Sequence, residues 1–150
     1  MNQQRRSLLK YSAVFGLMAS AGLITAAQAA EWNKAAFEGK SLDAVFSALG
    51  ANGPEKSDAV TLIAPDIAEN GAVVPAGVST TLNAQKMAIL VEKNPTPLAG
   101  EFMIPAGTEA FVNTRIKMSQ TSNVYALAQA DGKWYMAAKE VKVTLGGCGG

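Results

Sequence analysis

Gly146-Gly147-Cys148-Gly149-Gly150 sets the only cysteine of a 150-residue sequence between two pairs of glycines. Glycine has no Cβ and visits nearly all of φ/ψ space, so the segment is expected to be a flexible arm without structure of its own. A thiol placed there has no neighbouring side chain to bury it. From Leu145, the three residues to Cys148 reach about 10 Å when extended. The chemistry this permits is a nucleophile carried on a narrow tether into a pocket of another protein. Such a design suits a carrier better than an enzyme.

The residues that would make Cys148 a catalyst are missing. Histidine is absent, which excludes a Ser-His-Asp triad or a Cys-His pair. One cysteine and no histidine also exclude a Cys/His metal site within one chain. Asp43, Glu55, Asp58, Asp66 and Glu69 lack calcium-loop spacing, so no metal is expected. The nearest cation along the chain is Lys142, and a terminal carboxylate at Gly150 is expected to disfavour thiolate formation at Cys148. The thiol is therefore expected to be weakly activated by its own chain, with partner enzymes supplying the electrostatics. A thiol peroxidase or transferase would need a base, a resolving cysteine or a rigid pocket. The remaining alternative is an exported interaction module whose cysteine forms an intermolecular disulfide. That use gains from a rigid, well-aimed cysteine, and four glycines argue against it.

Other candidates carry weaker signals. Arg115 and Lys117 share the polar face of one strand and could hold an anion, or simply be its solvated side. Trp134 and Tyr135 fit core packing better than an interface. The apolar run Met87-Ala88-Ile89-Leu90-Val91 is a core strand or a partner-facing one.

The chain begins with an export pattern. Arg5 and Arg6 open a twin-arginine motif, Arg5-Arg6-Ser7-Leu8-Leu9-Lys10, followed by a weakly apolar stretch from Tyr11 to Ala27 and the small-residue site Ala27-Gln28-Ala29. Gly16, Ser20, Gly22 and Thr25 dilute the apolar run and make it a poor membrane anchor. Residues 1–29 are thus expected to be a cleaved twin-arginine signal directing the protein to the periplasm, with no membrane association afterwards. The mature chain keeps ten basic and twelve acidic residues without a basic cluster, so nucleic-acid binding has no electrostatic footprint.

Residues 30–145 read as one β-rich domain with a helical start, and residues 146–150 as its arm. Trp32, Ala35 and Ala36 suggest a short helical turn broken near Gly39. Ser41 is a fitting N-cap for the stripe Leu42, Val45, Phe46 and Leu49, with Gly50 as the stop. Beyond Gly53-Pro54 the apolar period becomes two. Expected strands are Val60–Ala64, Val74–Leu82 with Pro75 marking an edge or bulge, Lys86–Glu92, Glu101–Ile104, Phe111–Met118, Val124–Ala130, Lys133–Ala137, and a last one through Val141, Val143 and Leu145. Asp131-Gly132 favours the type I′ turn of a tight hairpin. Asn94-Pro95-Thr96-Pro97 is a loop. Short strands of this kind, divided by frequent turn signals, predict a mostly β fold, an immunoglobulin-like antiparallel β-sandwich preceded by a helical segment. Leu145 is expected in the core, giving the arm a rigid base.

Specific residues resemble a known family. The twin-arginine signal, Ile89-Leu90-Val91-Glu92-Lys93-Asn94-Pro95, Arg115-Ile116-Lys117-Met118, and Lys139-Glu140-Val141-Lys142-Val143-Thr144 running into the glycine-cysteine-glycine arm resemble the SoxY family. Its members are sulfur carriers of the periplasmic thiosulfate-oxidising Sox system. The resemblance implies a heterodimer with SoxZ, a second small β protein, and a carrier role for Cys148 with Gly146, Gly147, Gly149 and Gly150 as its swinging arm. It implies that a haem enzyme conjugates thiosulfate to the thiol and a manganese enzyme releases sulfate by hydrolysis. In complete systems a molybdenum dehydrogenase oxidises the remaining sulfane sulfur. It also implies that the carrier itself has no cofactor and no catalytic residue.

Overall fold

A computed structural model describes residues 33–144. Arg5, Arg6 and the rest of the export pattern lie outside the described residues, as do Leu145, Gly146, Gly147, Cys148, Gly149 and Gly150. The chain divides into the units Met1–Trp32 and Asn33–Gly150, and every described residue belongs to the second.

Two short helices open the fold, α1 (Lys34–Glu38) and α2 (Leu42–Leu49). Asn33 caps α1 by accepting the Ala36 N–H at 3.2 Å, and its amide donates to the Ala48 carbonyl at 2.9 Å, tying the two helices together. Ser41 caps α2 by accepting the Ala44 N–H, as its side-chain oxygen suits it to do. Gly50, at φ 72°, closes the helix in the left-handed region, and Ala51 N–H bonds back to the Phe46 carbonyl. Together these are the signature of a Schellman stop. The apolar stripe then buries Val45 and Leu49.

Nine strands follow: β1 (Glu55–Lys56), β2 (Val60–Ile63), β3 (Ile67–Ala68), β4 (Val74–Thr80), β5 (Ala84–Val91), β6 (Leu98–Met103), β7 (Phe111–Ile116), β8 (Ser122–Ala130) and β9 (Lys133–Val143). One sheet has the order β1-β9-β8-β5-β6, with β3 also on β9; the other is β2-β4-β7. The fold is the mostly β, immunoglobulin-like sandwich with a helical start that the sequence predicts. The β8–β9 hairpin turns through Asp131 at φ 51° and Gly132 at φ 75°, the mirror-image geometry of a type I′ turn.

Three features depart from expectation. The two runs read as separate strands after Gly132 form the single 11-residue strand β9. The sandwich is not wholly antiparallel, because β1 and β3 pair with β9 in parallel. Pro75 lies in β4, the central strand of the smaller sheet, rather than in an edge strand. However, β2 pairs with β4 only from Gly77 to Thr80, so opposite Arg115 the proline has one neighbouring strand and its missing N–H is tolerated.

Strand β5 explains the unbroken apolar run. Side chains alternate across a strand, and here both faces are covered. Met87, Ile89 and Val91 enter the core between the sheets with Val74, Val78, Val124 and Val141. Ala88 and Leu90 face the opposite way, into a second core with Val45, Leu49, Leu127 and Trp134. Of the two readings, core strand or partner-facing strand, the run takes the first. Trp134 is core as well, only 6% exposed beneath the helices, while Tyr135 packs against the first core. Among the described residues no helix is long and apolar enough to cross a membrane.

Candidate functional site

At the base of the expected arm, β9 ends at Val143 and the last described residues are held on both edges. On one side Lys142 N–H donates to the Asp66 carbonyl at 3.0 Å and Thr144 N–H to the Ala68 carbonyl at 3.1 Å. Those two bonds flank the short parallel pairing of β3. On the other side Val143 N–H donates to Thr121 Oγ1 at 3.0 Å. Val141 is fully buried and Val143 packs against the same core. Lys139 adds a cross-link, its ammonium donating to the Ala64 carbonyl and to Asp66 Oδ1. The alternation Glu140, Val141, Lys142, Val143 produces this anchor, since valines suit a pleated surface and face inward in turn.

Gly71 completes the base. Its carbonyl accepts the Met118 N–H at 2.7 Å. A Cβ on Gly71 would lie 2.5 Å from the Met118 carbonyl oxygen and 2.9 Å from Val143 Cγ1. Only a residue without a side chain lets this loop pass between β9 and the segment after β7. Sequence reading passed over Gly71, since nothing local distinguishes it from an ordinary loop glycine.

Arg115 and Lys117 are exposed, and they line one cleft of about 470 Å³ with Asn94, Thr96, Leu98 and Ser119. Asn94 builds its wall. Its amide donates to the Lys117 carbonyl at 2.7 Å, and its carbonyl oxygen accepts the Ser119 N–H at 3.1 Å. The loop Asn94–Pro97 and the end of β7, singled out separately in the sequence, are thus one place in the fold.

Nearby, Glu92 accepts from Asn123 at 2.8 Å and from the Tyr125 hydroxyl at 3.4 Å. Burial first, and the Glu92 charge second, push the Tyr125 phenol above its ordinary pKa. Asp43, Glu55, Asp58, Asp66 and Glu69 do not converge: among the described residues no three acidic side chains group as metal ligands. Cys148 and its four glycines, the centre of the sequence argument, lie outside the described residues.

A two-sheet immunoglobulin-like sandwich with a doubly anchored last strand, leading into a glycine-flanked thiol, is the class of protein these features define. Comparison with known proteins narrows it. The sequence matches the family described as sulfur oxidation protein SoxY over residues 46–148, a span that includes Cys148. The chain belongs to the SoxY family. It is similar to the solved structure of the sulfur carrier protein SoxY from Chlorobium limicola f thiosulfatophilum, with 36% identity and a TM-score of 0.61. That alignment covers 69% of this chain and 94% of the other. Superoxide reductase (neelaredoxin) from Ignicoccus hospitalis aligns at TM-score 0.53 and 16% identity, over 61% of this chain and 95% of that one. At that identity the likeness concerns the fold alone. No curated protein matches the sequence.

Proposed function

We propose that this protein is a non-catalytic, periplasmic carrier that holds sulfur intermediates of thiosulfate oxidation covalently on Cys148. The observation that carries the reading is that the family match runs through residue 148, onto the single cysteine between its glycine pairs. The likeness to a sulfur carrier protein supports it, and so does an arm base held on both edges of β9.

The covalent chemistry balances as follows. The Cys148 thiolate and thiosulfate join through a new S–S bond to give Cys148–S–S–SO3−, and the two electrons released pass to a haem enzyme. Water then cleaves the terminal S–S bond at a manganese enzyme, leaving Cys148–S–S−, sulfate and two protons. A molybdenum dehydrogenase would oxidise the remaining sulfane sulfur where the pathway is complete. A SoxZ-like subunit is the proposed constant partner, and residues 1–29 the twin-arginine signal that brings the folded protein to the periplasm. Holding the intermediate in a covalent bond keeps it from escaping between enzymes.

Intact-mass analysis of the protein purified without reductant tests the reading. Additions of sulfane sulfur or thiosulfonate are expected, all absent from Cys148→Ser. A disulfide-linked dimer as the only modified form, with no sulfur adduct under thiosulfate oxidation, would refute it in favour of the intermolecular lock.

A further inference from the structure

The cleft beside Arg115 and Lys117 has a charge arrangement that an ordinary solvated strand face lacks. Arg115 stands opposite Pro75 in the register of β4 and β7, so no acid faces it across the sheet. The ion pairs among the described residues are Lys34–Glu38, Lys86–Glu101 and Lys139–Asp66; neither Arg115 nor Lys117 takes part in one. Among the described residues no carboxylate lines the cleft, and nearby Glu92 is engaged by Asn123 and Tyr125. Two cations at i and i+2 thus share a concave site with the hydroxyl-bearing residues Thr96 and Ser119, with no counter-ion among the described residues. A guanidinium offers a planar fork of donors matched to oxyanions, and an ammonium adds a mobile point charge.

The location matters as much as the charge. Strand β9 ends, β8 begins, β5 ends and β6 begins at one end of the larger sheet, as the pairings Ser122 with Val141, Val91 with Val124 and Leu90 with Leu98 require. From β9 across to β6 is three strand spacings, about 14 Å. The four residues from Leu145 to Cys148 span up to about 14 Å when extended. A chain of contacts also leads from the end of β9 to the cleft, since Thr144 bonds to Glu69 and, two residues on, Gly71 bonds to Met118, between Lys117 and Ser119.

We propose that this cleft is an oxyanion site that recognises a sulfonate-type group through Arg115 and Lys117. Two sources present that chemistry: free thiosulfate or sulfate, and the terminal –SO3− of an adduct on Cys148. Only the second source rests on the carrier reading. A charged site of this kind distinguishes an arm ending in –SO3− from one that has lost its sulfonate.

The test uses amide NMR shifts of the whole protein at constant ionic strength. Sodium thiosulfate or sodium sulfate should cause saturable shifts at residues 94, 96, 98, 99 and 115–119 in both the native protein and Cys148→Ser. The double variant Arg115→Gln/Lys117→Gln should bind at least tenfold more weakly with an unchanged unfolding midpoint. For the second source, Cys148 is loaded with tetrathionate: the thiolate attacks one central sulfur, the central S–S bond breaks, and thiosulfate leaves, giving Cys148–S–S–SO3−. Loading should move the same amides without added anion and weaken the binding of free thiosulfate tenfold or more. Free-anion shifts that loading does not reproduce support the site with free oxyanion as its source. If neither free anion nor adduct moves these amides, or the double variant responds like the native protein, the proposal is overturned. A carrier that forms adducts beside a silent cleft sinks this inference alone, whereas anion binding in a protein whose thiol never takes sulfur sinks only the carrier reading.

Discussion

Gly71→Ala should destabilise the C-terminal end of β9. The added methyl carbon would stand 2.5 Å from the Met118 carbonyl oxygen and 2.9 Å from Val143 Cγ1. Neither neighbour can give way cheaply. The Met118 side chain is fully buried, and Val143 is held by Thr121 while packed on the core. Gly71 is not among the glycines at positive φ, so the penalty is one of space. Overpacking of this kind costs about 1–3 kcal/mol. Parting the loop from Met118 also loses the 2.7 Å bond between Met118 N–H and the Gly71 carbonyl, worth about 1 kcal/mol net. The expected loss is about 2–4 kcal/mol, a large share of a typical domain stability of about 5–15 kcal/mol. Urea unfolding should show a lower midpoint at unchanged slope, and thermal unfolding a fall on the order of 10 °C. Hydrogen exchange should quicken at Val143 and Thr144 while the α1–α2 region keeps its protection relative to global unfolding. A stability change below about 0.5 kcal/mol, the size of an ordinary surface substitution, would refute the claim that β9 is clamped here.

Two further outcomes follow from the same reasoning. Gly147→Val and Gly149→Val should slow turnover by the reconstituted partner enzymes at least several-fold, with stability within about 0.5 kcal/mol of native; normal thiosulfate oxidation by both variants would refute the narrow-arm idea. Tyr125→Phe tests the raised phenol pKa. A folded pKa above the unfolded one means that the native state holds its proton more tightly, so this stabilisation is present below the unfolded pKa of about 10 and lost as pH rises through the folded value. The native protein should therefore lose stability relative to Tyr125→Phe above about pH 10, while parallel pH profiles would contradict the burial and Glu92 effect.

Much of the fold was legible because its signals are local. Ser41 and Gly50 bound a helix whose stripe shows its buried side, and Asp131-Gly132 names its own turn. Met87–Val91 reads as buried on both faces because no polar residue interrupts it. What escaped was set by pairing between distant segments. Glu55 and Lys56 meet Tyr135 and Met136 in parallel, and Ile67 and Ala68 meet Lys142 and Val143. Two-residue strands carry no period to detect. Sequence alone breaks β9 between Ala137 and Glu140, across Ala138 and Lys139. In the structure this stretch continues the ladder with β8, and Lys139 binds the Ala64–Asp66 segment instead of ending the strand.

The sequence by itself determined the chemistry open to this protein: one thiol, no histidine, and a pair of glycines on each side of the cysteine. It also determined the sandwich, because apolar alternation and turn residues act over a few positions and survive without knowledge of the rest of the chain. Only the tertiary structure decided that Gly71 and Thr121 hold the end of β9, and that Asn94 closes a cleft around Arg115 and Lys117. Those are contacts between segments far apart in the chain, and no local pattern encodes which loop a strand end will meet.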